Sequence, residues 1–134
     1  MRNLQILLAE DNDADAVLIV MALDEHRLSY DMVRATDGEM AIHIIRNLGQ
    51  SAGSPYPDIV LLDLNLPRFG GTEVLAEFKK RDACRNIPVV IVTSADGPSD
   101  RERLASMGVS HFFHKPNDVG EYMKLGGVVA ALAA

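Results

Sequence analysis

The sequence predicts a doubly wound α/β fold built on a five-stranded parallel sheet, and three observations carry that prediction. Strand-like and helix-like segments alternate five times along 134 residues, which is the order a parallel sheet with crossover helices requires. The strand-like segments are short unbroken apolar runs, such as Ile59-Val60-Leu61-Leu62 and Val89-Val90-Ile91-Val92. Such runs suit strands buried on both faces. The runs also end on polar chemistry: Leu4 to Ala9 meets Glu10-Asp11, Leu62 meets Asp63, Val92 meets Thr93-Ser94, and the run from Val109 to His114 meets Lys115-Pro116. If the strands are parallel, these groups converge on the carboxyl edge of the sheet, where open α/β sheets bind ligands.

Taken in order, strands are expected near 4–9, 31–35, 58–62, 88–93 and 109–114, with helices near 13–26, 37–48, 71–82, 98–107 and 117–132. Thr36 with Glu39 three residues on has the spacing of a capping box for the second helix, and Gly49 marks its end. Residues 49–57, Gly-Gln-Ser-Ala-Gly-Ser-Pro-Tyr-Pro, read as a surface loop. Gly126-Gly127 lies inside the last helix, and since each glycine costs about 1 kcal/mol relative to alanine, a kink or fraying is expected there. No repeat, low-complexity tract or linker interrupts the chain, so residues 1–134 are expected to form one domain without an output domain.

Composition removes several function classes. A formal charge of −6 with scattered basic residues argues against nucleic-acid binding, which draws on clustered Lys and Arg. Cys84 is the single cysteine, which excludes an internal disulfide and a multi-cysteine metal site and suits the cytoplasm. The apolar start at Leu4 is cut off by Glu10-Asp11, too early for a signal peptide or a membrane span. A soluble cytoplasmic protein is therefore expected.

The converging groups then narrow the chemistry. Glu10, Asp11 and Asp63 at one edge would repel one another without a cation, and a hard divalent ion such as Mg2+ prefers a few carboxylate oxygens with water and phosphate. Helix capping alone would explain Asp13 and Asp15, because acids suit a first turn. It does not explain Asp63. A calcium loop starting at Asp11 fails, since Ala16 and Ala22 occupy its glycine and closing-glutamate positions. No nucleophile elbow, P-loop or paired metal-ligand spacing among His26, His43, His111 and His114 is present. What remains matches phosphoryl transfer to a carboxylate: Asp63 attacks, Thr93 donates a hydrogen bond, and Lys115 with a metal neutralises the phosphoryl oxygens.

These residues closely resemble the receiver domain of two-component response regulators. The resemblance covers nearly the whole chain and rests on Glu10-Asp11, on Leu61-Leu62-Asp63-Leu64-Asn65-Leu66-Pro67 followed by Gly70-Gly71, on Val92-Thr93-Ser94-Ala95, and on Lys115-Pro116, in the family's order and spacing. It implies a flavodoxin-like sheet of order 2-1-3-4-5, with Asp63 as phosphoacceptor. It further implies Glu10, Asp11, Asp63 and the Asn65 backbone carbonyl as Mg2+ ligands, Thr93 as switch hydroxyl, and Lys115 as phosphate contact ahead of a cis Pro116. Glu10 stands where Asp is commoner and is expected to serve directly or through water. Phe112 stands where the switch aromatic is often Tyr, which leaves an inward rotation without a hydroxyl. Glu10-Asp11-Asn12 with Asp15, the 49–57 loop and Leu64-Asn65-Leu66-Pro67 are similar to the single-domain regulators associated with bacterial phytochrome kinases.

The function so implied is a stand-alone response regulator. It takes a phosphoryl group from a sensor histidine kinase and signals by binding a downstream protein or passes the group to a phosphotransfer protein, with no nucleic acid, no membrane and no turnover of an external substrate. The alternative is a Mg2+-dependent phosphatase of haloacid dehalogenase type using Asp63 as nucleophile. Such enzymes resemble D-x-D-x-T, and Asn65 occupies the second Asp position.

Overall fold

The computed structural model describes residues 3–94 and 98–133, with the side chains of 98–100 left aside. Ala95, the last residue of the Val92-Thr93-Ser94-Ala95 motif, lies outside the described residues. Five strands, β1 (Leu4–Ala9), β2 (Tyr30–Ala35), β3 (Ile59–Leu62), β4 (Val89–Thr93) and β5 (His111–His114), form one sheet. Its order is β2-β1-β3-β4-β5 and every pairing is parallel. The helices are α1 (Asp13–Glu25), α2 (Gly38–Arg46), α3 (Gly71–Lys80), α4 (Pro98–Ser106), α5 (Val119–Tyr122) and α6 (Lys124–Leu132), with a short 3-10 turn at Asp82–Cys84. The expected doubly wound topology is the one observed.

Alternation along the strands divides the core into two halves. Leu7, Ala9, Val60, Leu62 and Ile91 pack with Ile45, Leu75, Phe78 and Leu104 from α2, α3 and α4. Ile6, Leu8, Leu61, Val90 and Val92 pack with Ile19, Leu23, Tyr122 and Leu125 from α1, α5 and α6. The central strands β3 and β4 are buried at every residue, which is why they read as unbroken apolar runs. β5 is an edge strand, exposed at His111 and His114 and half-buried at Phe112 and Phe113. Its ladder starts two residues later than the apolar run suggests.

Three local expectations are corrected. The N-cap of α2 is Asp37, whose carboxylate accepts from the Met40 amide at 2.7 Å, so Thr36 is displaced from that role. The helix thus starts one residue later, and the capped donor is the Met40 amide rather than that of Glu39. The last helix is interrupted at Met123, and Gly126-Gly127 lies inside α6. These glycines do not kink the helix: a Cβ on Gly126 would collide with the Ala22 carbonyl and the His26 ring, so its bareness lets α6 close onto α1. The 49–57 loop lies at the surface as expected, and Arg81 anchors it by donating to the carbonyls of Ile45 and Leu48 and to the Tyr56 hydroxyl at 2.6, 3.0 and 3.1 Å. No cis peptide occurs among the described residues, so the Lys115–Pro116 bond is trans. The Lys115 amide donates to the Thr93 carbonyl at 2.9 Å, so the parallel ladder runs one residue past β5 and delivers the lysine.

Candidate functional site

Three residues just beyond strand ends are pinned by the ladder. The amides of Glu10, Asp63 and Lys115 donate to the carbonyls of Ala35, Ala9 and Thr93 at 3.0, 3.0 and 2.9 Å, and each acceptor is the last residue of a neighbouring strand. Their side chains therefore leave the sheet at one level of its carboxyl edge. Gly71 completes the frame: its amide donates to the Leu64 carbonyl at 3.0 Å, and a Cβ there would strike the Asp63 carbonyl. A bare residue is what lets α3 begin against the Asp63 backbone.

Asp63 is buried, with 5% of its surface exposed. One carboxylate oxygen accepts from the Asn65 amide at 3.0 Å and the other from Lys115 Nζ at 2.8 Å. Lys115 also meets Asp15 Oδ2 at 3.0 Å and Glu10 Oε1 at 2.8 Å. Burial works against the ammonium, but the bonds it donates to Asp63 and Asp15 and its ion pair with Glu10 outweigh it and hold its pKa above that of an ordinary lysine.

Glu10 has the opposite problem. Its Oε2 accepts from the Asn12 amide at 3.1 Å, while the buried Oε1 has the Lys115 ion pair at 2.8 Å and no further hydrogen-bond partner among the described residues. Burial, with the Asp63 charge adding to it, pushes its pKa up from 4.5 to about 7 despite the relief from Lys115 and Asn12. Two buried carboxylates that share one ammonium leave negative charge that a divalent cation would neutralise. Oxygens of Glu10, Asp11 and Asp63 lie within 4.8 Å of one another, so one ion could be held by all three. Asp11 is the exposed member of the set.

Thr93 is buried at the end of β4 beside this cluster of backbone contacts. Asn65 meets the site through its amide. Phe112 does not enter the acidic pocket: it packs at the margin of the α2-α3-α4 half of the core, with the Arg101 guanidinium 5.2 Å above its ring. Cys84 and the four histidines stand outside the acidic cluster.

Two residues were not foreseen at the site. Asp15 reads as a first-turn acid, yet its carboxylate turns to Lys115 and also accepts from the Tyr122 hydroxyl at 3.3 Å. Tyr122 is 1% exposed, and burial with the nearby Asp15 charge raises its pKa. The available signal was chemical, since a core tyrosine needs a partner for its hydroxyl.

Strand order and helix placement put the chain in the flavodoxin-like class of doubly wound folds. Within that class, residues 6–125 match the response regulator receiver domain family, and the chain belongs to it. It is 32% identical to Response regulator Rcp1 of Synechocystis sp. over 90% of this chain and 82% of that protein. It superposes on the phosphorylated cyanobacterial phytochrome response regulator RcpA with a TM-score of 0.88 at 31% identity, covering 99% of this chain and 96% of the other. The Mn(2+)-bound form of Rcp1 matches with a TM-score of 0.83 at 31% identity, covering 94% and 91%. Receiver domains are two-component signalling modules that accept phosphoryl groups from histidine kinases and bind Mg2+ or Mn2+ at an acidic pocket. The haloacid dehalogenase alternative draws no support from these relationships. Among the described residues, no helix is long and apolar enough to cross a membrane.

Proposed function

We propose that this protein is a stand-alone response regulator of the cytoplasm that accepts a phosphoryl group on Asp63 from a sensor histidine kinase of phytochrome type. The observation that carries the reading is Asp63 itself: a buried carboxylate at the end of a central strand, 2.8 Å from the half-buried Lys115 ammonium. The likeness to Rcp1 and RcpA, over most of the length of each, supports both the stand-alone role and the kinase class.

In this reading Glu10, Asp11 and Asp63 hold Mg2+ together with the Asn65 carbonyl, and the ion supplies charge neutralisation for the phosphoryl oxygens. Asp63 is the nucleophile. A carboxylate oxygen forms the bond to phosphorus, the bond from phosphorus to the kinase histidine nitrogen breaks, and the electron pair leaves with that nitrogen. Lys115 balances the charge, and Thr93 donates a hydrogen bond to the new phosphoryl group. The domain modifies itself and turns over no external substrate; its output is binding to a downstream protein. Phe112 carries that output by filling the space Thr93 leaves when its hydroxyl moves inward.

The test is transfer from a panel of autophosphorylated histidine kinases, read by loss of kinase label and gain on this protein. A phytochrome-type kinase should label the wild type with Mg2+ present and leave Asp63→Asn unlabelled. Label on the variant would move the phosphoacceptor elsewhere. For Phe112, the Phe112→Ala variant should retain labelling while its phosphate-dependent NMR shifts on the face of α4, β5 and α5 are blunted; a full response would make Phe112 simple packing.

A further inference from the structure

We propose that Asp15 and Tyr122 are positioning residues for phosphoryl transfer, Tyr122 fixing Asp15 and Asp15 holding the Lys115 ammonium in place over Asp63. The proposal rests on the reading of Asp63 as phosphoacceptor. Lys115 is shared among three carboxylates, and two of them have other work in that reading. Asp63 is consumed as the nucleophile, and Glu10 belongs to the cation. Asp15 is the partner that can keep its hold throughout.

The geometry is that of a built support. Asp15 sits in the first turn of α1, its amide bonded to the Asn12 side chain at 2.9 Å, so its backbone is fixed by the helix cap. A first-turn acid meets its helix equally well from solvent. This one instead turns toward Lys115 at 3.0 Å and accepts from Tyr122 with its second oxygen. Tyr122 closes α5, is buried, and packs its ring against Phe113 of β5 at 5.8 Å between centroids. The couple therefore ties α1 and α5 to the lysine that follows β5.

During transfer a carboxylate oxygen of Asp63 bonds to phosphorus, the bond to the donor oxygen of acetyl phosphate breaks, and its electron pair departs as acetate. The contact from Lys115 to Asp63 must then pass to a phosphoryl oxygen. Held by Asp15, the ammonium makes that exchange with a small movement; unheld, it settles between Glu10 and Asp63 and must be drawn out. Correct placement before the step lowers its barrier.

Acetyl phosphate labelling at saturating Mg2+, followed by intact mass, tests this with Asp15→Asn, Tyr122→Phe, Lys115→Ala and the Asp15→Asn/Lys115→Ala pair. Labelling should slow about tenfold in Asp15→Asn, which loses a charged acceptor for Lys115, and about threefold in Tyr122→Phe, which loses a neutral donor to Asp15. Because Asp15 acts through the lysine, Asp15→Asn should add nothing in the Lys115→Ala background. Tyr122→Phe removes no charge, so its Mg2+ affinity by calorimetry should stay within about twofold of wild type. Equal slowing by Asp15→Asn with and without the lysine would overturn the proposal, as would wild-type rates in both single variants. If Asp15→Asn fails to fold, the same cycle is run with Tyr122→Phe and decides in the same way. A wild type that takes no label overturns the phosphoacceptor reading itself, whereas a labelled wild type with unaffected variants overturns only the positioning role.

Discussion

The two edges of the sheet handle polar groups in opposite ways. At the amino edge, Asp58 accepts from the Gln5 amide at 2.8 Å, and Asp31 accepts from the Gln5 and Asn3 side chains at 3.0 and 3.3 Å. Each acid there has amide donors, and the arrangement is complete within the chain. At the carboxyl edge, Glu10, Asp15 and Asp63 share one ammonium, Asp11 stands beside them, and a buried Glu10 oxygen has no partner beyond that ammonium among the described residues. The first edge is built to hold strands together. The second keeps a surplus of negative charge that suits a cation, and the cation in turn can receive a phosphoryl group.

The largest effect should come from removing the shared cation. Lys115→Met leaves the carboxylates uncompensated and should lower apo stability by roughly 3 kcal/mol, seen as a lower calorimetric midpoint. Mg2+ should then raise the variant's midpoint by more than it raises that of wild type. An unchanged apo midpoint would mean that the carboxylates are not in surplus.

Next in size is a pair of substitutions with opposite signs. Asp58→Ala at the complete edge strips a charge-assisted acceptor and should cost about 1.5 kcal/mol. Asp63→Asn at the surplus edge removes repulsion with Glu10 and should stabilise the apo protein by about 1 kcal/mol while weakening Mg2+ binding. Denaturant midpoints that move the same way would erase the distinction between the edges.

A smaller effect follows from Glu10. Its pKa rises from 4.5 in the unfolded chain to about 7 in the folded protein, through burial first and the Asp63 charge second. The folded state therefore binds the proton more tightly, so Glu10 contributes its full stability below about pH 4.5 and loses it as pH rises through 7. Glu10→Gln should gain on wild type in apo midpoint from pH 5 to about 8, and wild-type Mg2+ affinity should weaken as pH falls below 7. A gap that stays flat with pH would place the Glu10 pKa near its ordinary value.

The edge with the chemistry was also the more legible in sequence. Buried parallel strands must be apolar throughout, so the runs ending at Ala9, Leu62 and Thr93 announced both the sheet and the residues at its mouth. Contacts between distant segments left weaker traces. Gly126 suggested a break because its neighbour Ala22 lies more than a hundred residues away in sequence, and only the packed helices show why a Cβ is excluded. Asp15 was already explained as a helix-start acid, so nothing in its local surroundings asked for Lys115. Thr36 and Asp37 are both competent caps, and backbone direction chose the second. The 49–57 loop was legible as a surface loop, but its clamp was not, because Arg81, which holds it through Tyr56, belongs to the turn after α3.

The central claim is that the charge surplus at the carboxyl edge serves a phosphoryl group on Asp63, and chemical trapping examines it most directly. Wild type treated with acetyl phosphate and Mg2+ should gain one phosphoryl group by intact mass, and borohydride reduction followed by peptide sequencing should convert Asp63 alone to homoserine. Chelation of the metal, or Asp63→Asn, should abolish both signals. Homoserine at another aspartate, or full labelling of the Asp63→Asn protein, would contradict the account.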